Sequence, residues 1–382
     1  MKILFIQKVK ALVGSEKYFL ELIPALQKNG IAVTFACIYN SKDKDKTQLF
    51  IEQCKELDIN IKYLEVSSDK SIIKTLKFLR QVFQNDHFDL VHSHLIHADL
   101  WATILKRFKI MTCPIVSTKH GYDENYIAKN GFEGSTVPKN LYYRLCQFSE
   151  KKIARSFAVS HGLRTLFVDS KICKAENIET IHHGFELPSV NSQLNSKFRA
   201  SKNQLIIIGR VIPFKGHLHL IRALATVKQE FDDVSLVILG HGDKQHIKAL
   251  KNEAKLLNVD DHIVFAGYQT NIYDYLVNSD IMIVPSIAEG FGLVFLEAMN
   301  AKLPIIGFDV PATNEIIENE KTGFLIPPYN ESLLAEAICR LLKSPEERLQ
   351  FGQNAKNKLD SYFCLSRMLD ETICFYKKVL NQ

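Results

Sequence analysis

The sequence lacks the features that mark several classes of protein. No run of its 382 residues reaches the roughly 18 consecutive apolar residues of a membrane-spanning helix. The apolar run 3–6 ends at Gln7 and Lys8, too early for the core of a signal peptide. Eight scattered cysteines without a C-x-x-C pair argue against a zinc or disulfide scaffold. Because no G-x-G-x-x-G follows the first strand, a nicotinamide-dependent dehydrogenase lacks support. We expect a cytoplasmic protein with reduced thiols and no nucleic-acid partner.

The composition is that of an ordinary globular chain, with 46% hydrophobic and 24% charged residues. Its length predicts two domains. The net charge of +6 is uneven, since residues 1–185 contain 27 Lys and Arg against 19 Asp and Glu (+8), whereas residues 186–382 contain 21 against 23 (−2). The basic excess therefore belongs to the N-terminal half.

Short apolar runs alternate with helical patterns along the whole chain. Strands are predicted at 2–6, 31–38, 60–65, 88–92, 114–118, 155–159 and 177–181, with helices at 15–29, 70–85, 97–109 and 138–153. A polar stretch at 186–203 interrupts this pattern as an interdomain linker does, and a second alternation follows. Its strands are predicted at 204–209, 234–240, 262–266, 280–285, 304–308 and 323–326, and its last helices at 331–343, 345–360 and 365–380. This order predicts two α/β domains, each with a doubly wound parallel sheet.

The segment PSIAEGFGLVFLEAM is the strongest local signal. It leaves a strand near Pro285, passes a turn at 289–292 and enters a helix at about Gly292. Backbone N–H groups at a helix start, together with the helix dipole, favour a diphosphate or another anion. Glu289 lies in the turn and Glu297 about a turn and a half into the helix, although both residues also fit a solvated turn and an amphipathic helix.

The segment IIIGRVIPFKG is the second signal. A buried strand ends at Gly209 and is followed in the loop by Arg210 and Lys215. A planar guanidinium and a mobile ammonium group suit a diphosphate whose negative charge grows as it departs. Taken alone, two basic loop residues are more often ordinary surface charge.

Together these two segments resemble the glycosyltransferase family 4 enzymes, and the resemblance extends over nearly the whole chain. Gly14-Ser15-Glu16 is similar to the family's N-terminal G-G-x-E turn, and Val159-Ser160 with Arg164 to its V-S-x-x-x-R stretch. Gly240-His241-Gly242 is similar to its G-x-G turn, and Glu289 to Glu297 form its E-x₇-E motif. The sequence departs from the family at Val13, where a glycine is usual, and at His183-Gly184, where Asn-Gly is usual.

The resemblance implies the GT-B fold, in which two Rossmann-like domains face each other across a cleft. It implies an N-terminal acceptor-binding domain (1–187), a C-terminal nucleotide-sugar-binding domain (188–364) and a final helix (365–382) that packs back on the first domain. It also implies a retaining glycosyltransferase that uses a UDP- or GDP-sugar, with no cofactor and no metal. The acceptor would be a glycan or a lipid-linked hydroxyl in the synthesis of polysaccharide, lipopolysaccharide or glycolipid.

The resemblance also assigns roles to individual residues. Arg210 and Lys215 would hold the donor diphosphate, Glu297 the ribose hydroxyls and Glu289 the hydroxyls of the sugar. His120, which corresponds to the family's active-site histidine, would lie over the sugar near the acceptor, and His94 would lie on the same side. Catalytic roles would fall to His120, Arg210, Lys215 and Glu289. The remaining donor-site positions would be Gly14, Ser15, Gly209, Gly290, Phe291, Gly292 and Leu293.

Two patterns in the sequence are compatible with a metal site, and each also has an ordinary explanation. His92 and His94 share one face of a strand and could bind a metal with His97 or His120, but ordinary loop histidines are the favoured interpretation. Asp43-Lys44-Asp45 resembles the D-x-D of metal-dependent glycosyltransferases, yet it lies in the lysine-rich run SKDKDKT, which predicts a solvated loop.

The helix predicted at 70–85 is basic and amphipathic. Its pattern predicts one apolar face and, elsewhere, a basic surface with Lys70, Lys74, Lys77 and Arg80. The residues of the apolar face are Ile72, Ile73, Leu76, Leu79 and Phe83. Packing on the sheet explains this pattern, and contact with an anionic membrane surface on the inner face of the cell membrane is the alternative.

Two other functions share the predicted architecture. A nucleotide-sugar 2-epimerase of GT-B architecture would need acid and base groups around the sugar and no acceptor site. A protein that binds a sugar nucleotide without turnover would not need all of the predicted catalytic residues. The product distinguishes the three functions, because only the transferase releases a glycoside and a nucleoside diphosphate.

Overall fold

The computed structural model describes residues 1–12, 14–68, 71–122, 136–190 and 196–381, with the side chain of residue 196 left out. Val13, Lys70 and residues 191–195 of the predicted linker lie outside the described residues. The chain divides into two compact units. The first unit consists of the described part of residues 1–186 and of the segment that begins at Cys364, and the second unit extends from Leu187 to Phe363.

The first unit is built on a seven-stranded parallel sheet in the order β3-β2-β1-β4-β5-β6-β7. Its strands are β1 (Lys2–Lys8), β2 (Ala32–Asn40), β3 (Asn60–Val66), β4 (Leu90–His94), β5 (Ile115–Lys119), β6 (Arg155–Ala158) and β7 (Ile178–Thr180). The helices are α1 (Gly14–Lys28), α2 (Lys44–Glu56), α3 (Ile72–Gln84), α4 (Leu95–Arg107), α5 (Leu141–Glu150), α6 (His161–Asp169) and, at the other end of the chain, α14 (Leu365–Leu380).

The second unit contains a six-stranded parallel sheet in the order β10-β9-β8-β11-β12-β13. Its strands are β8 (Asn203–Ile208), β9 (Val234–Leu239), β10 (Ile263–Gly267), β11 (Ile281–Val284), β12 (Ile305–Phe308) and β13 (Gly323–Ile326). The helices are α7 (His217–Glu230), α8 (Lys244–Leu256), α9 (Ile272–Leu276), α10 (Leu293–Asn300), α11 (Thr313–Ile316), α12 (Glu331–Lys343) and α13 (Pro345–Tyr362).

Both sheets are buried on their two faces, which is why their central strands are almost continuously apolar. In β1 and β9 nearly every residue is buried, including Leu4, Ile6, Leu236 and Ile238. In each sheet the strand order reverses at one place, between β1 and β4 and between β8 and β11. Ligands of such sheets bind beyond the carboxyl ends of the strands at this reversal, so the loops after these four strands are the places to look for a site.

The structure corrects the sequence prediction at two helices. The lysine-rich run predicted as a solvated loop forms a 3-10 turn over Ser41–Asp43 and then the first turn of α2. The helix forms because Phe50, Ile51 and Cys54, spaced along one face, are buried against the first unit, and this packing outweighs the polar start. Helix α6 was not predicted, although Ser160 caps its start by accepting a hydrogen bond from the backbone N–H of Leu163 (3.2 Å).

The apolar face predicted for α3 is only partly buried. Leu79 is buried and Leu76 and Phe83 pack against the core, but Ile72 is 46% and Ile73 72% exposed. Both isoleucines lie in the first turn of α3, and Thr75 occupies the buried face one turn later. The prediction that these two isoleucines belong to the packed face was therefore wrong.

Helix α14 belongs to the first unit, where it packs against α1. Its side chains reach the sheet, since Phe375 contacts the ring of Phe157 edge to face (5.2 Å between centroids). Directly before α14, the backbone at Cys364 lies very close to the backbone at Gly184. A Cβ on Gly184 would collide with the carbonyl oxygen of Cys364. This close approach leaves no room for a side chain and explains why residue 184 is a glycine, as in the family pattern. The departure from that pattern is confined to His183.

Among the described residues, no helix has both the length and the apolarity needed to cross a bilayer.

Candidate active site

The second unit brings Lys215 and Glu289 together at the carboxyl end of its sheet. Lys215 Nζ donates to Glu289 Oε1 at 2.6 Å, and the two side chains are 18% and 6% exposed. The residues are 74 positions apart in the sequence. The sequence singled out each of them but gave no sign of this ion pair. A largely buried pair of opposite charges holds both side chains in one orientation.

Backbone hydrogen bonds and one close backbone contact hold the two loops that carry Lys215 and Glu289. The backbone N–H of Val211 donates to the carbonyl oxygen of His241 (2.9 Å), and that of Ile287 to the carbonyl oxygen of Phe214 (2.9 Å). Gly216 has φ of +75°, and a Cβ there would collide with the carbonyl oxygen of Pro285. The loop after β8 is therefore packed tightly against the loop after β11, and a larger residue at Gly216 would separate them.

Helix α10 begins directly after the glycine turn. Gly292, with φ of +83°, is its N-cap and makes no side-chain cap, so the first N–H groups of the helix point toward the turn. The carboxylate of Glu289 lies beside Gly292, with Oε2 3.6 Å from the position that a Cβ would take. The turn thus combines a cation, a carboxylate and a helix start, which is a suitable arrangement for a phosphorylated polyol.

The other residues predicted for the donor site lie on the same loops or on α10. Arg210 is exposed just after Gly209, at the end of β8. Glu297 lies in the middle of α10, and its side chain is 6% exposed. Leu293 is the first residue of α10. Phe291 is buried, and its ring contacts the ring of Phe363 (5.7 Å between centroids). This packing holds the glycine turn in place. Gly290 is half-buried between Glu289 and Phe291.

In the first unit, the predicted Gly14-Ser15 turn forms the start of α1 beside the end of β1. Gln7 Nε2 donates to Ser15 Oγ (3.1 Å) and to Glu16 Oε1 (3.0 Å), and Ser15 Oγ donates to Glu16 Oε2 (3.0 Å). Glu16 is buried in the first turn of the helix, where the positive end of the dipole stabilises a carboxylate. Gly14, the first residue of α1, is exposed.

A row of four histidines lies at the carboxyl end of the sheet in the first unit, with His92 and His94 in β4, His120 directly after β5 and His183 after β7. The ring centroids are 4.0 Å apart for His92 and His94, 5.3 Å for His94 and His120, and 5.5 Å for His120 and His183. Tyr18 of α1 packs on this row, with its ring 4.8 Å from that of His183. We call these four residues the histidine row.

The histidine row is neutral at physiological pH. Burial is the main cause, and it lowers the pKa of His120 to about 3 and holds the pKa values of His92, His94 and His183 well below the usual range. The proximity of the neighbouring rings lowers the pKa values of His92, His94 and His183 further. The sequence predicted His94 and His120 as site residues and allowed His92, His94 and His120 as joint metal ligands, but it gave no sign that His183 joins them in one buried cluster.

His92 is fixed by two hydrogen bonds. Its Nδ1 lies 2.7 Å from the hydroxyl oxygen of Tyr376, and its Nε2 lies 2.7 Å from Thr118 Oγ1. Both ring nitrogens are therefore occupied, which is incompatible with His92 as a metal ligand in this conformation. Tyr376 lies on α14, 284 residues away along the chain, so no local pattern could have indicated this contact.

His94 has no exposed surface, although the sequence predicted it on the acceptor side. An acceptor therefore cannot touch its side chain in this conformation. His94 Nδ1 lies 3.1 Å from His120 Nε2, and His120 is partly exposed. His94 is therefore placed to act on a substrate through His120.

A buried ionic network fastens the strand ends that carry these histidines. Lys119 forms an ion pair with Glu150 at the end of α5 and one with Asp99 of α4 (Nζ to Oδ2, 2.8 Å). Ser117 and Ser93 donate to Asp99 Oδ1 at 2.7 and 2.5 Å. Burial alone would lower the pKa of Lys119, but the two carboxylates outweigh it and hold that pKa well above the usual range.

Arg164 of the V-S-x-x-x-R stretch has a structural contact. Its Nε donates to the carbonyl oxygen of Ile178 (2.8 Å) and its Nη2 to that of Ala175 (3.0 Å). The side chain therefore ties α6 to β7, the last strand of the sheet.

Comparison with known protein families identifies the chain. The model described as Glycosyltransferase Family 4 matches residues 13–187, and the model described as Glycosyl transferases group 1 matches residues 192–358. The two models together cover most of the sequence. The chain therefore belongs to the family 4-like glycosyltransferases, which confirms the resemblance seen in its motifs.

The relatives include glycosyltransferases of bacteria. The chain is 24% identical over 360 residues to an uncharacterised glycosyltransferase of Haemophilus influenzae, covering 94% of this chain and 95% of that protein. It is 24% identical over 400 residues to the UDP-Gal:α-D-GlcNAc-diphosphoundecaprenol α-1,3-galactosyltransferase of Escherichia coli, covering 97% and 95%.

The solved structures confirm the fold. HepE of Anabaena, crystallised with UDP and glucose, superimposes with a TM-score of 0.82 at 19% identity, over 99% of this chain and all of that one. The predicted GT-B fold, with two doubly wound α/β sheets, is thus confirmed.

Proposed function

We propose that the protein is a retaining glycosyltransferase that moves a hexosyl or N-acetylhexosaminyl group from a UDP-sugar to a hydroxyl of a glycan or lipid-linked acceptor. The Lys215–Glu289 pair carries the proposal, because it joins a cation suited to a diphosphate with a carboxylate suited to sugar hydroxyls. HepE of Anabaena has been crystallised with UDP-glucose, which favours UDP over GDP as the nucleotide.

In the proposed reaction, the bond between the anomeric carbon and the diphosphate oxygen breaks first. Lys215, Arg210 and the N–H groups at the start of α10 stabilise the negative charge that the departing diphosphate gains. The acceptor oxygen bonds to the anomeric carbon from the side that the diphosphate leaves, so the configuration is retained. The acceptor proton passes to an oxygen of the departing phosphate, and no metal is needed.

The other predicted residues bind and orient the donor in this proposal. Glu297 accepts hydrogen bonds from the ribose hydroxyls. When Lys215 leaves its ion pair with Glu289 to bind the diphosphate, Glu289 accepts hydrogen bonds from the sugar hydroxyls. The helix starts at Gly14 and Gly292 offer backbone N–H groups to donor oxygens. His120 positions the sugar, since a group with a pKa of about 3 is too weak a base to take a hydroxyl proton at neutral pH.

We expect UDP to stabilise the protein without added metal. At 100 times its dissociation constant a ligand adds about 2.7 kcal/mol of stability, which corresponds to a rise in Tm of roughly 5–10 °C for a domain of this size. Differential scanning fluorimetry with UDP, GDP and ADP measures the shift. In Glu297→Ala the shift with UDP should fall sharply, whereas Glu336→Ala, an exposed glutamate on α12, should keep it. An equal shift with all three nucleotides, or none, would contradict a UDP-specific donor site.

We also propose that the first unit contacts an anionic membrane surface, where a lipid-linked acceptor would lie. The exposed first turn of α3 supports this, because Ile72 and Ile73 adjoin the exposed side chains of Lys77 and Arg80. Lys74 donates to the carbonyl oxygen of Glu65 (2.9 Å) and is therefore tied to β3. Two exposed isoleucines beside basic side chains match an interfacial helix.

Binding to liposomes tests the membrane proposal. Sedimentation with phosphatidylglycerol liposomes should exceed that with phosphatidylcholine liposomes and should weaken as salt rises. Reversing the charge of Lys77 and Arg80 to glutamate should lower the partition coefficient at least about tenfold, because each basic side chain near the surface contributes about 1 kcal/mol. The matched control reverses Lys151 and Lys152, two exposed lysines after α5, and should bind like the wild type. Equal binding to both liposomes would refute the contact.

A further inference from the structure

The hydrogen bond between His94 and His120 fixes which nitrogen of each ring carries a proton. Both rings are neutral, so each has one N–H and one lone pair. Nδ1 of His94 and Nε2 of His120 lie 3.1 Å apart, and one must donate to the other. The direction of this bond decides whether His120 offers a donor or an acceptor on its remaining nitrogen, Nδ1.

The other nitrogen of His94 settles the direction. Nε2 is fully buried and has no hydrogen-bond partner among the described residues. A buried N–H without a partner is costlier and rarer in proteins than an acceptor whose lone pair is unused. The lone pair therefore belongs on Nε2 of His94 and the proton on its Nδ1, which donates to His120 Nε2.

Much of the described surroundings of His94 is aromatic. The rings of Phe5 and Phe19 pack against it at 5.3 and 4.6 Å between centroids. The neighbouring His92 uses both of its nitrogens for Tyr376 and Thr118. The tautomer of His94 is thus set by an apolar pocket on one side and by His120 on the other.

We propose that His94 is a positioning residue that holds His120 as a neutral ring with its proton on Nδ1, so that His120 donates a hydrogen bond to a hydroxyl oxygen of the sugar. The inference rests on the proposed function for the identity of that oxygen. The lone pair of His120 faces His94 and is unavailable to a substrate. His120 consequently cannot accept the acceptor proton, which assigns that proton to the departing phosphate.

The tautomer can be observed directly in the free protein. Histidine labelled with ¹⁵N at both ring nitrogens distinguishes a protonated nitrogen from one with a lone pair by chemical shift, and His120→Gln identifies the signals of His120. At pH 7.5 we expect a protonated Nδ1 and an unprotonated Nε2 for His120. A protonated Nε2, or a charged ring, would overturn the proposal. Since no substrate is present, this result is independent of whether the proposed transferase activity is found.

Two variants of His94 test its control over His120. Asparagine has an amide nitrogen near the position of Nδ1 and should preserve the donation, whereas leucine fills the pocket without a donor. In His94→Leu we expect a mixture of His120 tautomers and a kcat about tenfold lower, the loss typical of one hydrogen bond; His94→Asn should keep the tautomer and most of kcat.

The outcomes for these variants separate positioning from structural support. A His94→Leu protein with an unchanged His120 tautomer would refute the role of His94, whatever its activity. If both variants fail to fold, judged by circular dichroism, the labelled wild-type protein decides alone. A confirmed tautomer in a chain that transfers no sugar would keep the inference about His94 and reject the proposed function.

Discussion

Replacing Lys215 with alanine is expected to lower kcat by about 10²–10³-fold, the loss that follows removal of one preorganised donor to a developing anion. Lys215 is the cation of the buried pair with Glu289, and its ammonium group is held 2.6 Å from that carboxylate. No other residue supplies a mobile positive charge from the loop after β8, since Arg210 carries a planar guanidinium group. The effect should appear in kcat more than in KM, because charge on the diphosphate grows as the bond breaks.

The matched control is Lys343→Ala. Lys343 forms an ion pair with Glu230 in the same unit, but both side chains are exposed, so its loss should leave turnover unchanged. Release of UDP measures kcat, and thermal melting measured by circular dichroism shows that each variant is folded at the assay temperature. Lys215→Ala with full turnover would remove Lys215 from the site.

Acid is expected to destabilise the first unit strongly. The four residues of the histidine row have pKa values lowered in the folded state, so they bind protons only when the chain unfolds. Their contribution to stability is complete above the unfolded pKa of about 6.5 and is lost as the pH falls below it. Between pH 7.5 and 5.5, protonation of the unfolded chain at these histidines lowers the free energy of unfolding by on the order of 1 kcal/mol for each ring, and by several kcal/mol for the row together.

Chemical unfolding at the two pH values measures this loss. The variant His183→Asn removes one titrating ring and should reduce the histidine row's share of the difference in unfolding free energy by about a quarter. Buried His217 of the second unit, whose pKa is lowered to about 4, adds a further part to the difference. Lys119 does not contribute, because its raised pKa makes its contribution constant below pH 10. Equal stability at pH 7.5 and 5.5 would show that the histidine row is charged or open to solvent in the folded protein.

Much of the fold could be predicted because it is encoded locally. The apolar runs that became β1 and β9 are buried on both faces, and Gly30 follows α1 with φ of +74°, as a helix-ending glycine does. The exceptions depend on tertiary packing instead. Helix α2 begins in a lysine-rich run, and only its burial through Phe50 and Cys54 makes it a helix.

The candidate site could be predicted in part for the same reason. The residues that follow strand ends, such as Lys215 and Glu289, can be found one at a time from the motifs that contain them. Their pairing depends on the order of strands in the sheet, which brings β8 beside β11. The contact of Tyr376 with His92 depends on the return of α14 to the first unit, and nothing near either residue in the sequence encodes it.

The most direct test of the proposed function is the configuration of the first product. Proton NMR can follow UDP-glucose, UDP-galactose and UDP-N-acetylglucosamine, each an α-linked donor, with octyl glycosides as acceptors and with water alone. We predict UDP together with an α-configured glycoside, or an α-configured free sugar before mutarotation. A β-configured first product, or a sugar epimer formed without any glycoside, would contradict a retaining transferase.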